Sequence, residues 1–120
     1  MTKSSLTGKA QTVLGPIDGT ELGVTLAHEH ILFDGSALYM SPEAASDRGK
    51  ALKPVDWDVL SWLRYHPFEN YDNLRLLDED LMTREVVQFR AAGGQTIVDQ
   101  GNNGLGRDPQ ALSRISRLTG

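Results

Sequence analysis

An amphipathic helix running straight into a β-branched apolar strand limits the fold more than any other stretch. It occupies residues 78–100, DEDLMTREVVQFRAAGGQTIVDQ. Met82, Val86 and Phe89 recur at the spacing of one helix face. Asp78, Glu79 and Asp80 crowd the first turn, where acids favour the helix dipole. Gly93 and Gly94 supply the stop. QTIVDQ then reads as a short strand ending in Asp99. After the loop GNNGLGR, a second helix is expected over 108–119, with Asp108 as N-cap, Pro109 at the first helical position and Gly120 just beyond. Leu112, Ile115 and Leu118 or Thr119 form its apolar stripe.

Upstream, AQTVLGPIDGTELGVTLAHEHIL reads as two strands, about 11–14 and about 22–32, parted by the turn signals Gly15-Pro16 and Asp18-Gly19. Alternation puts Val24, Leu26, His28, His30 and Leu32 on one face, and Thr25, Ala27, Glu29 and Ile31 on the other. Both faces are largely apolar, as in a strand covered on both sides. The order is hairpin, strand, long loop, helix, strand, loop, helix. Its βαβα core implies parallel strands and right-handed crossovers. The expected class is α/β in a single partial domain over 1–120. Residues 10–34 hold the hairpin and first barrel strand, 35–77 a long loop insertion, and 78–120 the helix, second strand and helix. Two parallel strands leave two open edges, so the expectation is the start of a longer barrel, or a chain that must find its missing surface elsewhere.

Pro42, Pro54 and Pro67 punctuate the insertion, and SPEAASDRGKALKP reads as loop. PVDWDVLSWLRYHP predicts a short helix capped by Asp56 and stopped by Pro67. Either Trp57, Leu60 and Leu63, or Val59, Trp62 and Leu63, face inward. Insertions this long are often lids or binding loops. Trp57, Trp62, Tyr65, Phe68 and Tyr71 wall a pocket or pack a core.

The net charge of −4 argues against the basic face of a nucleic-acid binder and against a polybasic membrane patch. No cysteine is present, so thiolate ligands and disulfides are excluded and a reducing, cytoplasmic setting fits. The start MTKSSLTGKA lacks the apolar run of a secretory signal. A homodimer is compatible with the sequence.

His28 and His30 are the candidate metal ligands. Two apart on a strand, they lie roughly 6.5–7 Å from each other along the chain, on one face. Their nitrogens can then converge on one ion at about 2.0–2.1 Å. A pair of polar residues at a strand end is the bland alternative. Glu29 points to the other face, and the pattern is not the helical HExxH.

Two blocks place the pair in context. Thr12, Val13, Gly15, Pro16 and Ile17 lead through Glu21, Leu22, Gly23, Thr25 and Leu26 to His28, Glu29 and His30. A second block is AAGGQTIVDQGNNGLGRDPQALSRIS. Together they resemble the phosphotriesterase family of the amidohydrolase superfamily, in the N-terminal portion only. The resemblance implies a (β/α)8 TIM barrel holding two divalent metals, most commonly zinc, at the C-terminal ends of its strands. His28 and His30 match the family's first-strand ligands. The implied activity is metal-dependent hydrolysis of phosphotriester, lactone or related ester bonds of a small molecule by metal-activated water. The family's remaining ligands come from later strands, so the 120-residue chain is expected to be inactive alone.

Asp99 reads as a strand-end residue capping the next loop. GNNGLGRD precedes a helix start, where phosphate can dock, but Gly104 and Gly106 fit a tight turn better, and Arg107 a solvated charge. His66 is a weak ligand candidate. Two rivals stand beside the hydrolase. One is a cupin-like site, with Asp34 four residues after His30. The other is a non-catalytic barrel fragment.

Overall fold

The computed structural model describes residues 6–120. The first five residues of the start MTKSSLTGKA lie outside the described residues. The chain forms two compact units, one of residues up to 31, 79–100 and 108–120, the other of 32–78 and 101–107. Among the described residues no helix is long and apolar enough to cross a membrane.

The first unit opens with an antiparallel hairpin, β1 (Lys9–Thr12) and β2 (Gly15–Asp18), in which Thr12 faces Gly15. The turn is therefore Val13-Leu14, and Gly15-Pro16, expected as the turn, lies in the strand. The Thr12 hydroxyl explains the shift: it donates to Gly15 O at 2.7 Å and accepts from Leu14 N at 3.1 Å. Both strands of this ribbon are edges, so the missing N–H of Pro16 costs nothing. Asp18 caps the single turn Gly19–Glu21 in a capping box with Glu21.

β3 (Thr25–Glu29) then pairs in parallel with β6 (Thr96–Asp99). The expected strand over 22–32 is thus shorter, and a bulge interrupts its register between Leu26 and Glu29. The expected cover on both faces is also absent among the described residues: Val24, Leu26 and Val98 are 61%, 39% and 41% exposed. Ordinary strand pairing still holds the two together. Gln95 N and Thr96 N both donate to Val24 O, and the Thr96 hydroxyl reaches Leu22 O at 2.6 Å.

α2 (Glu79–Ala91) and α3 (Pro109–Thr119) complete this unit. Met82, Val86 and Phe89 are half-buried along one face of α2, as the periodicity predicts. Gly94 follows because a Cβ there would run into the Phe89 ring. α3 begins at Pro109 with Asp108 accepting from Gln110 N and Ala111 N. Its inner face is Ala111 and Ile115, at 2% and 1% exposure, whereas Leu118 is 71% exposed. Arg114 grips Glu79 with two hydrogen bonds, 2.9 and 2.8 Å. That pair ties the start of α2 to the middle of α3.

The second unit is more than a loop. β4 (Phe33–Asp34) pairs antiparallel with β5 (Arg75–Leu76), and α1 (Trp57–Leu63) lies between them in sequence. Asp56 caps α1 as its position predicts, accepting from Asp58 N. Of the two candidate inner faces the structure selects Val59 and Leu63, at 1% and 6% exposure; Trp57 is 90% exposed. They share a small core with Leu32, Ala51 and Leu74. Asn70, fully buried, stitches it: its amide donates to Lys50 O and Lys53 O, and its carbonyl accepts from Asn73 N.

Candidate metal centre

β3 delivers His28, and His30 follows one residue past its end. Their rings meet edge to face, with centroids 5.6 Å apart and planes at 69°. Alternation accounts for the shared side. The register shift between Leu26 and Glu29 spans His28, and such irregularities are common beside functional sites. His28 is exposed, His30 half-buried, and the His30 Nδ1 is shielded from solvent.

Backbone contacts hold this turn of chain. Gln100 N donates to Glu29 O at 2.8 Å, extending the ladder by one bond. Glu29 Oε1 accepts from His30 N at 2.9 Å, and Asp99 Oδ2 accepts from Ile31 N, also at 2.9 Å. Glu29 thus folds back on the main chain.

The pair fits a divalent ion. A tetrahedral ion held at about 2.0–2.1 Å by one nitrogen of each imidazole would put the ring centres roughly 5–5.5 Å apart. Imidazole donors suit zinc among other first-row metals. Among the described residues no group of three or more His, Cys, Asp or Glu is gathered to hold a metal. Catalytic zinc usually has three ligands from protein, one more than this pair offers.

The remaining candidates have structural work. His66 stacks on Trp62 at 5.0 Å and 12°, with Nδ1 3.0 Å from Glu69 Oε1. Trp62 Nε1 donates to Asp47, which also accepts from Lys50. The Lys50 hydrogen bond, helped by that indole, holds the Asp47 carboxyl below its usual range although burial pushes it up. Tyr39 and Tyr71 meet at 4.6 Å and line an open cleft of about 270 Å³ with Arg48. In the glycine loop, Asn102 caps its own turn by accepting from Gly104 N at 2.8 Å, and Gly106 takes a left-handed φ of 70°. Asp108 occupies the Gln110 and Ala111 amides at the start of α3. The amides a phosphate would use are thus engaged. Asp34 accepts from the hydroxyl and amide of Ser36, which hold its carboxyl below the usual range, the hydroxyl first.

The Phosphotriesterase family model matches residues 8–120. The chain belongs to the phosphotriesterase family. It is 41% identical over 118 residues to an N-acetyltaurine hydrolase of Tetraodon nigroviridis, covering 98% of this chain and 34% of that one. A phosphotriesterase-related protein of Nematostella vectensis is 40% identical over 115 residues, 93% of this chain and 33% of the other. The chain thus spans about a third of the length of the curated relatives it matches. Among solved structures, a resiniferatoxin-binding protein from Rhodobacter sphaeroides superposes with a TM-score of 0.89 at 43% identity, over 94% of this chain and 32% of that one. An organophosphorus hydrolase from Deinococcus radiodurans gives 0.57 at 28% identity, over 93% and 26%.

Membership in the phosphotriesterase family is shared with relatives named as hydrolases. It also overturns the cupin alternative, for which the parallel pairing of β3 with β6 and the helices α2 and α3 supply the physical reason. Sequence reasoning missed the part played by Asp99, which reaches across to the amide beyond His30 rather than capping only its own loop. The signal was a carboxylate at the end of the strand next to the histidine strand.

Proposed function

We propose that this chain supplies the first-strand half of a divalent metal centre in a hydrolase of the phosphotriesterase family, as the N-terminal part of a (β/α)8 barrel. The observation that carries it is the side-by-side placement of the His28 and His30 rings on the exit of β3. The exposed apolar residues Val24, Leu26 and Val98 support a barrel wall that further strands would cover. When bound, a metal pair, most simply two zinc ions, supplies Lewis acidity and a water of lowered pKa. His28 and His30 hold their share of the ion, and the pairing of β3 with β6 keeps them rigid.

For substrate, the higher identity to N-acetyltaurine hydrolases than to organophosphorus hydrolase favours a small N-acyl amine. A lactone, ester or phosphotriester is the second reading, supported by the organophosphorus hydrolase neighbour. In both substrate types one carbonyl or phosphoryl oxygen would be polarised and water would add at the atom that carries it. The 120-residue chain, with two ligands, is proposed to be inactive alone.

Metal analysis of the purified chain tests the clasp. Zinc uptake should be lost when His28 and His30 are both replaced by alanine. Unchanged zinc content in that double variant would sink it. Assays with a lactone, an aryl phosphotriester and an N-acyl amine, with zinc added, should show no turnover. Metal-dependent turnover absent from the double variant would overturn the inactivity.

A further inference from the structure

We propose that Asp99 is the positioning residue of the histidine pair, setting through the Ile31 amide where the chain turns after His30. The metal consequence rests on the function proposed above; the geometric one does not.

Glu29 faces Asp99 in the last registered pair of the parallel ladder, and Gln100 N adds one bond to Glu29 O. The next amide on the β3 side would seek a backbone carbonyl if the strand continued. Ile31 N instead meets the side chain of Asp99 at 2.9 Å. One residue earlier, His30 N meets the side chain of Glu29 at the same distance. Two consecutive amides are thus taken by carboxylates, and the strand ends between the two histidines. Ile31 is only 8% exposed, so water is a poor substitute for the Asp99 acceptor.

The place of this turn matters to His30. Strand side chains alternate, so moving the exit by one residue sends an imidazole to the opposite face. The register of β3 against β6 already shifts between Leu26 and Glu29, so the pairing ahead of His30 does not by itself set the exit. Glu29 cannot anchor the exit alone, because it sits on the segment it holds. Asp99 belongs to β6, which is fixed to β3 through the Thr96 and Gln95 bonds. With Oδ2 on the Ile31 amide, Asp99 acts on the pair through the backbone.

The test compares wild type with Asp99→Ala and Asp99→Asn in the 120-residue chain. Asparagine keeps a side-chain oxygen able to accept from Ile31 N; alanine does not. In the metal-free wild type, NMR should show a ring-to-ring Overhauser contact between His28 and His30 and slowed exchange of the Ile31 amide. Asp99→Ala should lose the Overhauser contact, and zinc affinity should fall about 10–100-fold. Asp99→Asn should preserve both. A purely structural role would lower the melting temperature of Asp99→Ala while leaving the ring contact and zinc affinity intact, and that result overturns the proposal. So does an asparagine variant that behaves like alanine. If Asp99→Ala fails to fold, wild-type exchange decides: an unprotected Ile31 amide overturns the proposal, a protected one supports it. If the ring contact is lost in Asp99→Ala but wild type takes up no zinc, positioning stands and the metal reading falls.

Discussion

Replacing Asn70 by alanine should be among the most damaging single changes to the unit built around α1. Asn70 is fully buried. Its side chain donates to Lys50 O at 2.8 Å and Lys53 O at 2.9 Å, and accepts from Asn73 N at 2.7 Å. Alanine leaves Lys53 O and Asn73 N without their Asn70 partner, while Lys50 O keeps the bond from Lys53 N at 3.3 Å. Each unsatisfied buried group costs about 1–3 kcal/mol. Two such groups total about 2–6 kcal/mol, a large share of the roughly 5–15 kcal/mol of a typical domain. Asn70→Asp separates hydrogen bonding from shape, because it is nearly isosteric. It keeps the acceptor for Asn73 N but aims lone pairs at two carbonyls and buries a charge. It should therefore be worse than alanine at neutral pH. The new carboxyl would titrate above its unfolded value of about 3.9. Its deficit is then full above the raised folded pKa and shrinks as pH falls through it. Urea unfolding followed by tryptophan fluorescence reads this out, since Trp57 and Trp62 both lie in the affected unit. An alanine variant within about 1 kcal/mol of wild type would refute the reasoning, because one unsatisfied group alone should exceed that. So would an aspartate variant as stable as alanine at neutral pH.

Three further outcomes are expected. Gly106→Ala should destabilise by about 2 kcal/mol in thermal melts, since a left-handed backbone at φ 70° strains an L residue and the new Cβ would sit 2.8 Å from the Asp34 Cβ. Asp108→Ala should cost about 1 kcal/mol by loss of the two capping bonds of α3, while Asp108→Asn stays within a few tenths. The Arg114 hydrogen bonds hold the Glu79 carboxyl below its usual range, and Glu79 in turn raises the Arg114 guanidinium. This stabilisation is full above the ordinary glutamate pKa of about 4.3 and is lost as pH falls through the lowered folded value. Glu79→Gln should flatten that part of the acid limb of a melting-temperature profile; an unchanged profile would exclude a contribution from the pair.

Local chemistry made much of this fold legible in one dimension. The 3.6-residue spacing of Met82, Val86 and Phe89 specifies α2, and Asp108-Pro109 specifies the start of α3 to the residue. Asp56 caps α1 where its position predicts. The histidine pair was visible too, because spacing by two on a strand needs no long-range information. Less visible was everything set by competition between alternative partners, near or distant. The hairpin turn moved because the Thr12 hydroxyl closes it two residues before the glycine-proline signal. The inner face of α1 had two equal candidates, and only the core around Ala51 and Leu74 selected Val59 and Leu63. The role of Asn70 carried no signal, since the two carbonyls it donates to are 17 and 20 residues away.

By itself, then, the sequence determined the helices, their caps and the pairing of His28 with His30, all of which depend on neighbours within a turn or two of chain. The tertiary structure alone decided where β3 ends and what holds its exit. That decision belongs to Asp99, 68 residues further along the chain. Its carboxylate matters only because parallel pairing brings β6 beside β3, and no local preference of either strand contains that meeting.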